Sequence, residues 1–188
     1  MENTRQSRKK VLVNTAIRLF YDHGFHTTGI DRILSESGVA KMTLYNHFKS
    51  KDDLIVEALN SASKRVMDRM HEQVLNAVGA EERLLSLFDH HDKWFNDDGF
   101  NGCLFDRASS EFPSQTHPVH IAAADHKRRV FDLLQALAHK TGSSNPAGLA
   151  EQMLLLLEGA ITLSFVTGAK IAARRARRAA EVLLASPK

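Results

Sequence analysis

Apolar residues return every three or four positions along almost the whole chain, and no Asn-Gly or Asp-Gly turn joins two segments of strict apolar–polar alternation. This pattern predicts an all-α protein of about nine helices. The first runs from about Gln6 to His23, with Leu12, Ala16, Leu19 and Phe20 on one face and Gly24 as its stop. Thr28 with Asp31 three residues later reads as an N-cap. It opens a helix of barely two turns that buries Ile30, Ile33 and Leu34 and ends at Ser37-Gly38. Val39 plugs the turn, and another short helix follows from about Lys41 to His47 with Leu44 and Phe48 inward. Ser50 with Asp53 repeats the capping pattern and starts a long fourth helix, whose apolar stripe runs from Leu54 to Val74 and which Gly79 closes. Further helices are expected over 81–97, 102–111, 118–140 and 147–169, with a last one ending near Ala185; Pro113, Pro118, Gly142 and Pro146 punctuate them.

Two helices of two turns each are unstable alone, so their place between longer ones needs a tertiary reason. A helix-turn-helix supplies one: the turn Ser37-Gly38-Val39 sets the second short helix at a steep angle, ready for a major groove about 12 Å wide. Lys41, Met42, Thr43, Asn46 and His47 are then the exposed residues. Lys, Thr and Asn hydrogen-bond base edges or phosphates, and Met42 suits a thymine methyl group. Thr28, Tyr45 and Lys51 flank them as candidates for phosphate contacts. The competing reading is a tight three-helix unit with solvated polar residues.

Charge is distributed in a way that fits the first reading. Residues 1–51 carry nine Lys or Arg against four acids, a net of +5, so the net +3 of the 188-residue chain leaves −2 for the rest. A positive front end on a near-neutral body suits a phosphate-binding module joined to something else, although a basic solubilising tail gives the same count.

The stretch from Ala16 to Leu54 carries Ala-x-x-Leu-Phe, Gly24-Phe25-His26-Thr27-Thr28, Ile33 and Gly38-Val39. It continues with Lys41-x-Thr43-Leu44-Tyr45-x-His47-Phe48-x-x-Lys51-x-x-Leu54. In this density and spacing it resembles the TetR/AcrR family of repressors over about a quarter of the chain. The resemblance implies a TetR-type DNA-binding domain over 5–65, with its helix-turn-helix about 28–47, and a helical ligand-binding and dimerisation domain over 66–188. It also implies that Thr28, Lys41, Thr43, Tyr45, His47 and Lys51 sit at the DNA surface, Thr28 and Lys51 as phosphate clamps. Met42 departs from the small residue that the family usually has there. The implied partners are a pseudo-palindromic double-stranded operator, a second copy of the chain and a small-molecule effector, with no membrane.

The C-terminal body has no diagnostic motif. Its helix over 147–169 is apolar nearly all round and must be covered on most sides, by a subunit interface shared with the last helix or within the monomer core. His91, Trp94, Phe95, Cys103, Phe105 and Phe131 are candidates for an apolar ligand pocket, with plain core as the alternative. Cys103, at the start of a helix, reads either as a reactive sensor thiol or as a small core residue. Arg174, Arg175, Arg177 and Arg178 read as a solvated face or as partners of acids.

A single cysteine excludes an internal disulfide, and His117, His120 and His126 have no Cys or acid at tight ligand spacing, so neither metal nor cofactor is expected. No phosphate loop or Ser-His-Asp pattern supports an enzyme, whose only nucleophile pair would be Cys103 with a histidine. Without an N-terminal apolar core or a charge-free window of about 18 residues, a cytoplasmic protein is expected.

Overall fold

A computed structural model describes the backbone of residues 2–185 and the side chains of residues 7–185, so the last three residues of the 66–188 region and the side chains at the start of the 5–65 region lie outside the described residues. Nine helices and their connections make up the described residues: α1 (Glu2–His23), α2 (Ile30–Ser37), α3 (Lys41–Tyr45), α4 (Lys51–Leu75), α5 (Ala80–Phe95), α6 (Leu104–Glu111), α7 (Pro118–Lys140), α8 (Pro146–Thr167) and α9 (Ala172–Ala185). The all-α reading and its count hold. Differences are confined to ends: α1 begins at Glu2 rather than near Gln6, and α3 stops at Tyr45 rather than His47.

Local chemistry explains most boundaries. Asp53 N–H donates to Ser50 Oγ (3.1 Å), and Asp53 Oδ2 accepts from the N–H groups of Ser50 (3.2 Å) and Lys49 (3.0 Å), a closed capping box at the start of α4. The expected Thr28 cap is absent. Gly29 occupies the N-cap position of α2 without a side-chain bond, while the fully buried Thr28 hydroxyl points back and donates to the carbonyl of Gly24 (2.7 Å), with that of Leu19 at 3.2 Å. With its hydroxyl turned to the carbonyls of Gly24, just past α1, and of Leu19 in its last turns, Thr28 fixes the α1–α2 loop.

The chain forms two compact units: residues up to Arg65 together with Leu104–His126, and Val66–Cys103 together with Lys127–Lys188. In the first, α1 packs on α2 and α3 around Leu12, Leu19, Phe20, Ile33 and Leu44, all fully buried, and Phe20 stacks on Phe25 at 4.9 Å. Gly24 ends α1 at φ +87°, and a Cβ there would stand 2.7 Å from Glu111 Oε1. Gly24→Ala is therefore expected to destabilise this unit by about 2 kcal/mol, from left-handed strain plus the clash, read as a lower urea midpoint at unchanged m-value.

In the second unit α5, α8 and α9 pack around Leu84, Phe88, Phe95, Leu134, Met153 and Leu157. Alanines 172, 173, 176 and 180 form the inner face of α9, and small side chains there let it lie close to α5 and α8. Of the arginine cluster, Arg177 pairs with Glu82 (2.8 Å), Asp89 (3.2 Å) and Glu181, and Arg174 with Asp92 (3.2 Å); Arg175 and Arg178 are exposed. By length and composition α8 could cross a membrane, yet one of its faces is built into this core. Its other face is open, with Leu155 and Val166 each 72% exposed and Leu163 and Phe165 about half exposed.

Candidate nucleic-acid interface

The turn between α2 and α3 is made by Gly38, whose φ of +64° is a conformation that side chains with a Cβ rarely adopt. Its N–H bonds the Leu34 carbonyl at 3.0 Å, ending α2 with a left-handed cap. Val39 is buried in the turn, and its N–H donates to Ser37 Oγ at 3.3 Å. α3 is anchored in the core by Leu44, and Phe48, three residues past its end, is buried as well. After Tyr45 the backbone tightens: His47 N–H bonds the Leu44 carbonyl at 2.9 Å, an i to i+3 bond, which shortens the helix relative to its expected end.

Anchoring on two positions leaves the remaining surface of α3 outward. Met42 is 72% exposed and Tyr45 49%, Lys41 and Asn46 are exposed, and Thr43 and His47 are half-buried. Lys41 lies 3.9 Å from Asp31, a contact too loose and solvated to hold it away from an incoming phosphate. Lys51, the first residue of α4, is half-buried, and its Nζ faces the His26 carbonyl at 3.5 Å. Burial lowers its pKa from the ordinary lysine value, while Asp52 and Glu111 act in the opposite direction. Arg18 and Arg32 converge on Glu36 (2.5 and 3.0 Å), a network that ties α1 to α2, and these bonds, led by that from Arg18, hold the Glu36 carboxyl below its usual pKa.

The histidines weighed as a metal group go separate ways within the first unit. His117 faces Asp52 at 3.4 Å and stacks on Phe112, His120 Nδ1 lies 2.8 Å from the Phe112 carbonyl, and buried His126 lies 3.0 Å from Ser63 Oγ.

Of the pocket candidates, Phe105 belongs to the first unit, where it stacks on His126 at 3.6 Å. The others lie in the second unit. His91 is buried among Trp94 and Phe95, with Phe100 against both of these rings, and Phe131 and Cys103 are partly buried against the same core. Lys127 Nζ, 2.6 Å from Glu158 Oε2, reaches Cys103 Sγ at 3.6 Å. Sequence reasoning missed Arg107 and Glu111, which bond the end of α1 and its loop across more than eighty residues; no local motif signals such a pairing.

The family model for bacterial regulatory proteins of the tetR family matches residues 12–58, and that for tetracyclin repressor-like C-terminal domains matches residues 80–180. The chain belongs to the TetR family. As a TetR-family protein it is a DNA-binding transcriptional regulator and not an enzyme. It is 24% identical over 178 residues to the HTH-type transcriptional regulator YjdC of Escherichia coli, covering 94% of this chain and 93% of that one. Among solved structures, SCO4454, a TetR-family transcriptional regulator from Streptomyces coelicolor, superposes with a TM-score of 0.88 at 28% identity, covering 95% of both chains. The reduced form of E. coli NemR shares the fold, with a TM-score of 0.88 at 21% identity over 96% of this chain and 98% of that one.

Proposed function

We propose that this TetR-family regulator is a cytoplasmic repressor that binds a pseudo-palindromic operator as a homodimer and is released by a small molecule held in its second unit. The observation that carries the DNA-reading part is the outward face of α3, where polar groups and one thioether stand exposed over just two buried anchors. Lys41, Met42, Thr43 and Asn46 read base edges in the major groove, while Tyr45, His47 and Lys51 hold phosphates. Thr28, being buried, serves by fixing the loop before α2 and not by touching the backbone.

Support for a dimer comes from the open apolar face of α8, continued on α9 by Val182, which is 68% exposed. A two-fold interface across α8 and α9 covers it. The DNA-binding domain over 5–65 then acts for the body over 66–188, with α6 and the start of α7 belonging to the compact unit of the reading head. An effector lodged among Trp94, Phe95 and Phe131, which belong to or pack against the second unit's core, with His91, Cys103 and the Lys127–Glu158 pair in the same unit, would be mostly apolar with a polar group.

Selection of duplexes from a randomised pool tests this reading: an enriched pseudo-palindrome with half-sites one helical turn apart is expected, and a pool left without enrichment overturns it. Lys51→Ala should weaken binding to every duplex alike and lower the salt slope of log K by about one. Deleting the gene should raise transcription from the bound promoter; a fall would make the protein an activator.

A further inference from the structure

The last turn of α6 is fastened to the loop that feeds the helix-turn-helix. Glu111 Oε1 accepts the N–H of Phe25 at 3.0 Å and Oε2 accepts the N–H of His26 at 2.7 Å, so one carboxylate takes both backbone donors. The Glu111 carbonyl in turn faces His26 Nε2 at 2.8 Å. Gly24 supplies the room, since any Cβ there would collide with the carboxylate. One turn earlier, Arg107 donates to the Tyr21 carbonyl at 2.6 Å, and one residue later the Phe112 ring lies against His26 and Phe25. All of these groups belong to the first unit, and the loop they grip runs directly into α2, which Gly38 joins rigidly to α3.

We propose that Glu111 is a positioning residue for DNA binding: its carboxylate clamps the backbone at Phe25 and His26 and thereby sets the seat of α2 and α3 in the groove. This rests on the DNA-reading function proposed above. Bond count and direction carry it. Two charge-assisted bonds from one carboxylate to adjacent N–H groups fix the loop in a way that neither a neutral nor a shorter side chain reproduces. The clamp also runs against simple electrostatics. A carboxylate on a DNA-binding unit, close enough to act on Lys51, repels phosphate, so as a bystander Glu111 would weaken binding and its neutralisation would strengthen it.

The two accounts therefore predict opposite signs. The test is anisotropy of the full chain on a duplex that the wild type enriches from a randomised pool, with Kd computed on the active fraction from stoichiometric titration. Glu111→Gln is expected to bind about 10-fold more weakly with an unchanged salt slope, and Glu111→Asp, which keeps the charge but not the reach, also more weakly. Amide exchange at Phe25 and His26 in the free protein should speed up in both variants. Should Glu111→Gln fail to fold, Glu111→Asp decides alone. Equal or tighter binding by Glu111→Gln, or wild-type affinity in Glu111→Asp, overturns the proposal and leaves the DNA-reading function standing. If the wild type enriches no sequence, the DNA-reading function itself fails and the clamp's role fails with it.

Discussion

Leu155→Glu and Val166→Glu together are expected to yield a folded chain that stays at 21.0 kDa in light scattering and binds a two-half-site duplex about 100-fold more weakly or worse. Both side chains are 72% exposed, so the exchange removes nothing from the monomer core and its thermal midpoint as a single chain should barely move. In a two-fold interface across α8, however, four carboxylates, two from each copy, would be buried against apolar surface without partners, which is prohibitive. The loss of DNA affinity follows from effective concentration. In the proposed dimer the first reading head holds the second near the next half-site, and a monomer would forfeit that gain while keeping the contacts of its own head. A doubled mass in the variant, or undiminished affinity, would show that α8 is not the dimer face.

The second large effect concerns pH. His91 is buried against Trp94 and Phe95, with its Nδ1 at 2.7 Å from the Leu87 carbonyl. Burial is the first cause that brings its pKa down to about 4, with the Leu87 bond opposing and the charges of His90 and Lys127 adding. His90 is likewise lowered to about 4, first by burial and then by Arg69 and Lys93. Above pH 6.5 His91 is neutral folded or unfolded and its titration costs nothing. As pH falls from 6.5 towards 4 the unfolded chain binds a proton that the folded chain refuses, so stability drains across that window and the slope flattens below it. For His91 alone the full loss is about 3 kcal/mol. His91→Leu should lose roughly that much less than the native chain between pH 7.5 and pH 4.5 in urea unfolding; parallel losses in both would show that the imidazole is not what titrates.

How far the sequence carried the account depended on whether an interaction was local. Ser50 and Asp53 are three residues apart, and the box they form was legible because both partners sit in one turn. Pro118 at the start of α7 and Gly142 beyond its end marked that helix in the same way. Thr28 presented the same local pattern and misled. Burial of the loop offered its hydroxyl two carbonyls at the end of α1, and that competing bond won over the cap. The stacking of Phe105 on His126 was not legible either, because an apolar side chain does not announce its partner. Glu111 lay beyond reach for the same reason, since its partners stand 85 and 86 residues away and nothing within α6 hints at them. Which positions of the α3 segment are buried and which face outward, by contrast, was legible in the sequence. The buried Leu44 and Phe48 are four residues apart and Gly38 suits the left-handed turn, so the outward positions follow from the helical period.

Whether α3 reads a particular DNA sequence is tested most directly by fluorescence anisotropy of the purified chain on the DNA immediately upstream of its own gene, beside an unrelated duplex, across a salt series. Binding to the upstream DNA about 1,000-fold tighter than to the unrelated duplex, with a steep fall as salt rises, is the predicted result. Equal and weak binding to the two would contradict it.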